Sequence, residues 1–114
     1  MAYDEALAWR IREAVAGVLA DTEQVTEKAM FGGLAFLLAG HMSVAASGQG
    51  GLMVRVDPAE TDSLVDPPDV DRVVMRGRAM DGWLRVAEDA VDDDAELHRW
   101  VTIGIRYART LPPT

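Results

Sequence analysis

Four basic side chains, Lys28, Arg55, Arg76 and Arg78, stand in or beside short apolar stretches punctuated by glycine. Charged groups in such settings are seldom buried without a partner, so each needs a carboxylate neighbour or a use for its charge. Two readings follow. The four pair with the chain's acidic stretches, or they line a shallow groove that receives an anion or an acidic peptide. The charge distribution sharpens the question. Net charge is −8, with nineteen acids against ten arginines and one lysine. Twelve of the acids fall in two stretches, residues 57–71 and 88–96, and outside these the bases outnumber the acids. One expectation is a local anion-binding face on an acidic protein. The other is a set of ion-paired arginines rimming a sheet, with the acids in loops and helix starts.

Other chemistry finds little support. There is no cysteine, which excludes disulfides, thiolate metal sites and a cysteine nucleophile. The two histidines, His41 and His98, belong to different elements and lack any two-histidine helical spacing, so no metal site is expected. Asp92-Asp93-Asp94 lacks the spacing and downstream glutamate of a calcium loop and suits a helix cap. Ser43 and Ser47 lie near His41, but no G-x-S-x-G elbow is present. The glycines at 48, 50 and 51 lack the lysine and hydroxyl of a phosphate loop and read as a hairpin loop. No catalytic residues and no cofactor are expected. The one constellation that could serve an enzyme is Lys28, His41 and Arg78, should folding bring them together.

The elements that must position these residues are legible from periodicity. Asp4 can cap a helix over about 4–19, where Leu7, Ile11, Ala14, Val15, Val18 and Leu19 recur at helical spacing and Trp9 falls off the stripe. Residues 25–31, 34–38, 42–46 and 52–56 read as strands, with a tight turn at 39–41 and a looser one at 47–51. Gly32-Gly33 is a turn between two strands or a bulge inside one bent strand, so three or four strands are counted. Pro58, after Asp57, opens a short helix to about Leu64, and Pro67-Pro68 forces an extended connection. Residues 71–75 and 83–86 read as two more strands, joined through 76–82 with Gly77 and Gly82 as turning points. Asp93 or Asp94 caps a last helix whose face carries Leu97, Trp100, Val101, Gly104, Ala108 and Leu111, stopped by Pro112-Pro113. Short turns between strands imply an antiparallel sheet with helices packed on it, in one domain spanning 1–114.

Two segments rise above generic pattern: Lys28-Ala29-Met30-Phe31-Gly32-Gly33-Leu34-Ala35-Phe36 and Met75-Arg76-Gly77-Arg78-Ala79-Met80-Asp81-Gly82-Trp83. With Gly40–Val44, Leu52–Val56 and the closing Tyr107-Ala108-Arg109-Thr110-Leu111-Pro112, the chain resembles the TfoX (Sxy) N-terminal domain family over nearly its whole length. The resemblance implies an α+β two-layer sandwich of order α-β(3)-α-β(2)-α, with Gly32-Gly33 inside one bent first strand. Full-length members regulate DNA-uptake competence in some bacteria and carry a second, helical domain; this chain resembles the stand-alone N-terminal type. The resemblance supplies no catalytic residues. Gly32, Gly33, Gly77 and Gly82 are read as backbone positions closed to larger residues, and Met30, Phe31, Met80 and Trp83 as core.

The functional expectation is a non-catalytic regulatory module that binds an unidentified protein partner. Off-stripe aromatics such as Trp9 and Tyr107 motivate it, and the apolar faces of both terminal helices make a homodimer one way to satisfy it. The alternative is a small-anion or nucleotide-binding domain built on Lys28, Arg55, Arg76 and Arg78. Direct nucleic-acid binding is disfavoured by the charge. No apolar run reaches the roughly 20 residues that cross a bilayer, and the basic start of a signal peptide is missing, so a cytoplasmic setting is expected.

Overall fold

The computed structural model describes residues 3–30 and 32–112. The chain opens with helix α1 (Glu5–Val18), which Asp4 caps by accepting from the backbone N–H groups of Ala6 and Leu7 at 2.9 and 3.1 Å. Leu7, Ala8, Ile11 and Val15 form its buried stripe, whereas Trp9 is 58% exposed. Four strands follow: β1 (Val25–Met30), β2 (Gly33–Leu38), β3 (His41–Ala46) and β4 (Leu52–Arg55). A 3-10 turn at Pro58–Glu60, capped by Asp57, runs into the short helix α2 (Thr61–Leu64). Strands β5 (Val70–Met75) and β6 (Arg78–Val86) form a hairpin, and α3 (Asp94–Thr110) closes the chain with Asp93 as its cap.

All six strands pair antiparallel in the order β1-β2-β3-β4-β6-β5. Both long helices lie on one face, so the fold is the mixed α+β sandwich expected from the sequence. Alternate residues of the strands point into that layer: Phe36, Leu38, Val44, Ala46, Leu52, Val54, Leu84 and Val86 join Leu7, Ile11, Val15, Leu97, Trp100, Val101 and Ile105 in one core. Period-two alternation on the strands meets the 3.6-residue stripes of two helices, and burial of both drives the assembly.

Two details correct the expectation. The segment before α2 holds four strands, where the resemblance implied three. β1 folds back on β2 at the Met30–Gly33 pair, so Gly32, at φ +76°, belongs to a tight turn between strands. Gly33 answers a second demand: a Cβ there would lie 2.2 Å from the Ala46 carbonyl oxygen. The second correction concerns the connection between β5 and β6. It is a two-residue turn at Arg76-Gly77, because β6 begins at Arg78. Gly82 lies inside β6, where the register jumps from Arg72–Leu84 to Val73–Met80. That bulge is stitched to α2: the Gly82 N–H donates to Thr61 Oγ1 at 2.8 Å, and Thr61 is fully buried.

A second bulge sits at the middle of the sheet. The β2–β3 register shifts after Phe36, leaving Ser43 as the extra residue of β3. Its hydroxyl donates to the Phe36 carbonyl at 2.9 Å. Helix α3 approaches closely here, with Gly104 against the Ser43 carbonyl, where a Cβ would lie 2.5 Å from the oxygen.

Candidate binding face

The face of the sheet turned away from α1 and α3 carries the other half of each strand. Antiparallel sheets that show one face to water alternate apolar with polar residues. Here the outward set is mixed instead. Ala35, Met42 and Ala45 are buried in a second, small cluster, with Met30, Leu37, Met53 and Trp83 half-buried around them. A row of directly opposed residues crosses all six strands: Lys28, Ala35, Ala45, Met53, Arg85 and Asp71. Alanines occupy its middle, and the longer side chains around them leave Ala35 and Ala45 buried. Next to it, Thr26 opposes Leu37, Leu37 opposes Met42, and Arg55 opposes Trp83.

The charges on this face are of both signs: Lys28, Arg55 and Arg85 project from it, Asp71 stands opposite Arg85, and Asp69 and Glu88 line the same surface beside Met53. Arg85 is spent on structure, donating to the carbonyls of Gln49 and Gly50 at 2.5 and 3.0 Å and pinning the 47–51 loop. Arg55 is held differently. Its guanidinium carbon lies 5.0 Å from the centre of the Trp83 ring and 5.9 Å from that of Tyr107, near the end of α3. A guanidinium this close to ring faces is attracted by their quadrupoles, and that attraction uses none of its N–H donors.

Among the described residues, none of Lys28, Arg55, Arg76 and Arg78 has a carboxylate within ion-pair distance. The acids are taken by other arginines: Arg10 by Asp94, Arg12 by Glu27, Arg72 by Asp62 and Asp81, Arg99 by Glu96, Arg109 by Glu23. Donating hydrogen bonds to Asp81 and Asp62 pushes the Arg72 guanidinium pKa up, and Arg109 holds the Glu23 carboxyl at about 2. The four candidates do not form a single groove, however. Lys28 is on edge strand β1, and four strand spacings, about 19 Å, separate it from β6. Arg76 and Arg78 sit at the tip of the β5–β6 hairpin beside Val74 and Met75, which are 64% and 37% exposed.

The same separation keeps Lys28 and Arg78 from acting on one substrate atom. His41 Nε2 lies 2.5 Å from the Pro112 carbonyl oxygen. Ser43 is fully buried, its hydroxyl committed to the bulge. Of the motif residues read as core, Met30 and Trp83 flank the small cluster on the open face and Met80 opposes Val73 in the hairpin, while Phe31 lies outside the described residues. Sequence reasoning did not single out Ala35, Ala45 and Met53. The signal was available in Leu52-Met53-Val54-Arg55 and Trp83-Leu84-Arg85-Val86, where every second residue leaves the aliphatic face. Among the described residues, no helix is long and apolar enough to cross a membrane, and no three acids or histidines are grouped to hold a metal ion.

A six-stranded antiparallel sheet, with helices on one face and alanines, methionines and charges of both signs on the other, defines a small two-layer α+β domain with one face open. The family model for the TfoX N-terminal domain matches residues 17–108, most of the chain. The chain belongs to that family. No curated protein and no solved structure matches it.

Proposed function

We propose that this domain is a non-catalytic regulatory module of the cytoplasm that works by binding another protein through the open face of its sheet. One observation carries the reading: on the outward face Met30, Leu37, Met53 and Trp83, half-buried on β1, β2, β4 and β6, stand around the buried Ala35, Met42 and Ala45. Apolar surface of this kind on a solvent-facing sheet marks an interaction site, and unbranched methionines adapt their shape to what they meet. The family membership accords with a regulatory role, and the partner's identity decides whether that role concerns competence or transcription. The test is retention of a partner from source-cell extract by the immobilised domain. Met53→Asp, at a half-buried surface position, should abolish retention while leaving the thermal midpoint within a few degrees. Retention that survives the substitution, or no partner retained by the wild type, defeats the proposal.

A second reading, a small-anion or nucleotide site, is favoured by the absence of any ion-pair partner for Lys28, Arg55, Arg76 and Arg78 among the described residues. It predicts that phosphate, citrate or a nucleotide raises the melting temperature of the wild type and not of the Arg76→Glu/Arg78→Glu variant. A wild type that none of these anions stabilises ends that reading.

A further inference from the structure

We infer that two copies of this chain join through β1. The strands pair antiparallel about a two-fold axis at Glu27 and continue the sheet, and the outer side of α1 packs on the partner's α1 above the junction. This surface is separate from the open face of the sheet, and the inference does not depend on how that face is used.

The first ground is the contrast between the two edges of the sheet. An unpaired edge offers backbone donors and acceptors to any extended chain, and folds blunt it with bulges, covering segments or charges. The β5 edge is blunted. Its register breaks between Arg72 and Val73, and at its start Asp66 and Val70 exchange backbone hydrogen bonds at 2.8 and 3.0 Å. The β1 edge is regular. Val25–Met30 pairs with β2 in unbroken register, contains neither glycine nor proline, and has a strand neighbour on one side.

The second ground is what stands over that edge. Arg12 of α1 donates to both carboxylate oxygens of Glu27 at 2.6 Å, and its guanidinium carbon lies 5.8 Å from the centre of the Trp9 ring. Trp9 is therefore on the side of α1 that overlooks β1, and it is 58% exposed there. Ala16, seven residues on, shares that side by helical spacing and is exposed as well. An aromatic knob and a bare stretch of helix thus lie on either side of Arg12.

The third ground is self-complementarity, which selects a second copy over a foreign strand. A two-fold axis perpendicular to the sheet opposes a residue of β1 to itself. Centred on Lys28, it would oppose two lysines with no acid beside them on β1. Centred on Glu27, it opposes two glutamates that each bring an arginine, so Arg12 and Glu27 of both copies form a ring of alternating charge. Lys28 then faces the partner's Thr26, and Val25 faces the partner's Ala29. Because Arg12 stands over Glu27, the same axis passes the middle of α1, and the antiparallel helices set Trp9 against the partner's Ala16. Glu5 falls beyond the end of the partner's helix and Glu13 points away from the sheet, so both acids stay in water.

The experiment is sedimentation equilibrium of the full chain, with far-UV circular dichroism to check that each variant is folded. The wild type should be a dimer at micromolar concentration. Ala16→Arg, a helix-favouring change at an exposed position, should raise the dissociation constant at least about tenfold. Glu27→Arg and Arg12→Glu should each be monomeric, because each gathers four like charges at the axis, and mixing the two should restore a dimer. The chain has no cysteine of its own, so single cysteines read the register. Glu27→Cys should cross-link on mild oxidation, whereas Ala29→Cys, about 14 Å from its counterpart, should not. A wild type still monomeric at about 1 mM overturns the inference and leaves the edge to a foreign strand. A dimer indifferent to Ala16→Arg, a mixture no tighter than its components, or cross-linking by Ala29→Cys in place of Glu27→Cys overturns it equally.

Discussion

The two faces of this sheet share one backbone and differ in almost everything that side chains can do. Toward the helices the strands present Phe36, Val44, Leu52, Val54, Leu84 and Val86, each at most 1% exposed. Away from them they present alanine, methionine, tryptophan and charged side chains of both signs, Lys28, Arg55, Arg85 and Asp71 among them. Branched aliphatics have few rotamers and pack one way, which suits a surface that must specify a fold. Methionine and arginine are adaptable, and a face built of them specifies little about the fold. The contrast teaches that residues of similar hydropathy differ, through flexibility and charge, in how far they specify a fold.

Substitutions can break that contrast or sharpen it. The largest effect is expected at Phe36, whose replacement by Ala should cost about 4 kcal/mol in urea unfolding, whereas Met53→Ala on the opposite face should cost well under half of that. Comparable losses at the two positions would mean that the open face is as much a core as the other. Gly104→Val should cost about 3 kcal/mol, because its Cβ has no room against the Ser43 carbonyl and the Val44 methyl at 2.5 and 2.8 Å. Ser43→Ala should cost about 1 to 2 kcal/mol by stranding the buried Phe36 carbonyl at the bulge.

A smaller effect tests the helix side alone. Glu23 Oε1 and Oε2 accept from Arg109 at 2.7 and 2.8 Å, tying the segment after α1 to the end of α3. That pairing holds the Glu23 carboxyl at about 2, below its ordinary 4.5, so its stabilisation is complete above the higher value and is lost as pH falls toward the lower. With Arg109 more than a third exposed, solvent screens the pair, and Glu23→Gln should remove up to about 1 kcal/mol at neutral pH and flatten stability between about pH 4.5 and 2. A variant whose acid limb matches the wild type would assign that limb elsewhere. Least of all, Lys28→Ala should stay within about 0.5 kcal/mol, since the side chain is exposed on an edge strand.

Much of this architecture is written locally in the chain. Asp4, Asp57 and Asp93 cap where a short oxygen-bearing side chain before an apolar stripe says they should, and Trp9 falls outside α1's buried stripe. Gly32-Gly33 is ambiguous in sequence because a turn and a bulge ask the same of glycine; only the pairing of Met30 with Gly33 distinguishes them. Gly82 misled for the same reason, its role being set by Thr61, twenty-one residues away in sequence. The residue types of the candidate bases were visible, but their pairing was not. Arg72 finds Asp62 and Asp81 while Arg76 and Arg78, a few positions on, find none among the described residues, and that difference depends on where a hairpin ends.

The packing of α3 over the sheet also bears on how the chain is made. Leu97, Trp100, Val101, Ile105 and Ala108 complete the aliphatic core, yet they are translated after every strand they cover. While the ribosome is still adding them, the growing chain carries all six strands and α1 with that core unfinished, the state in which exposed apolar surface aggregates. The face of the sheet meant for the inside is therefore the more dangerous one during synthesis, and its safety depends on the last seventeen-residue helix arriving promptly.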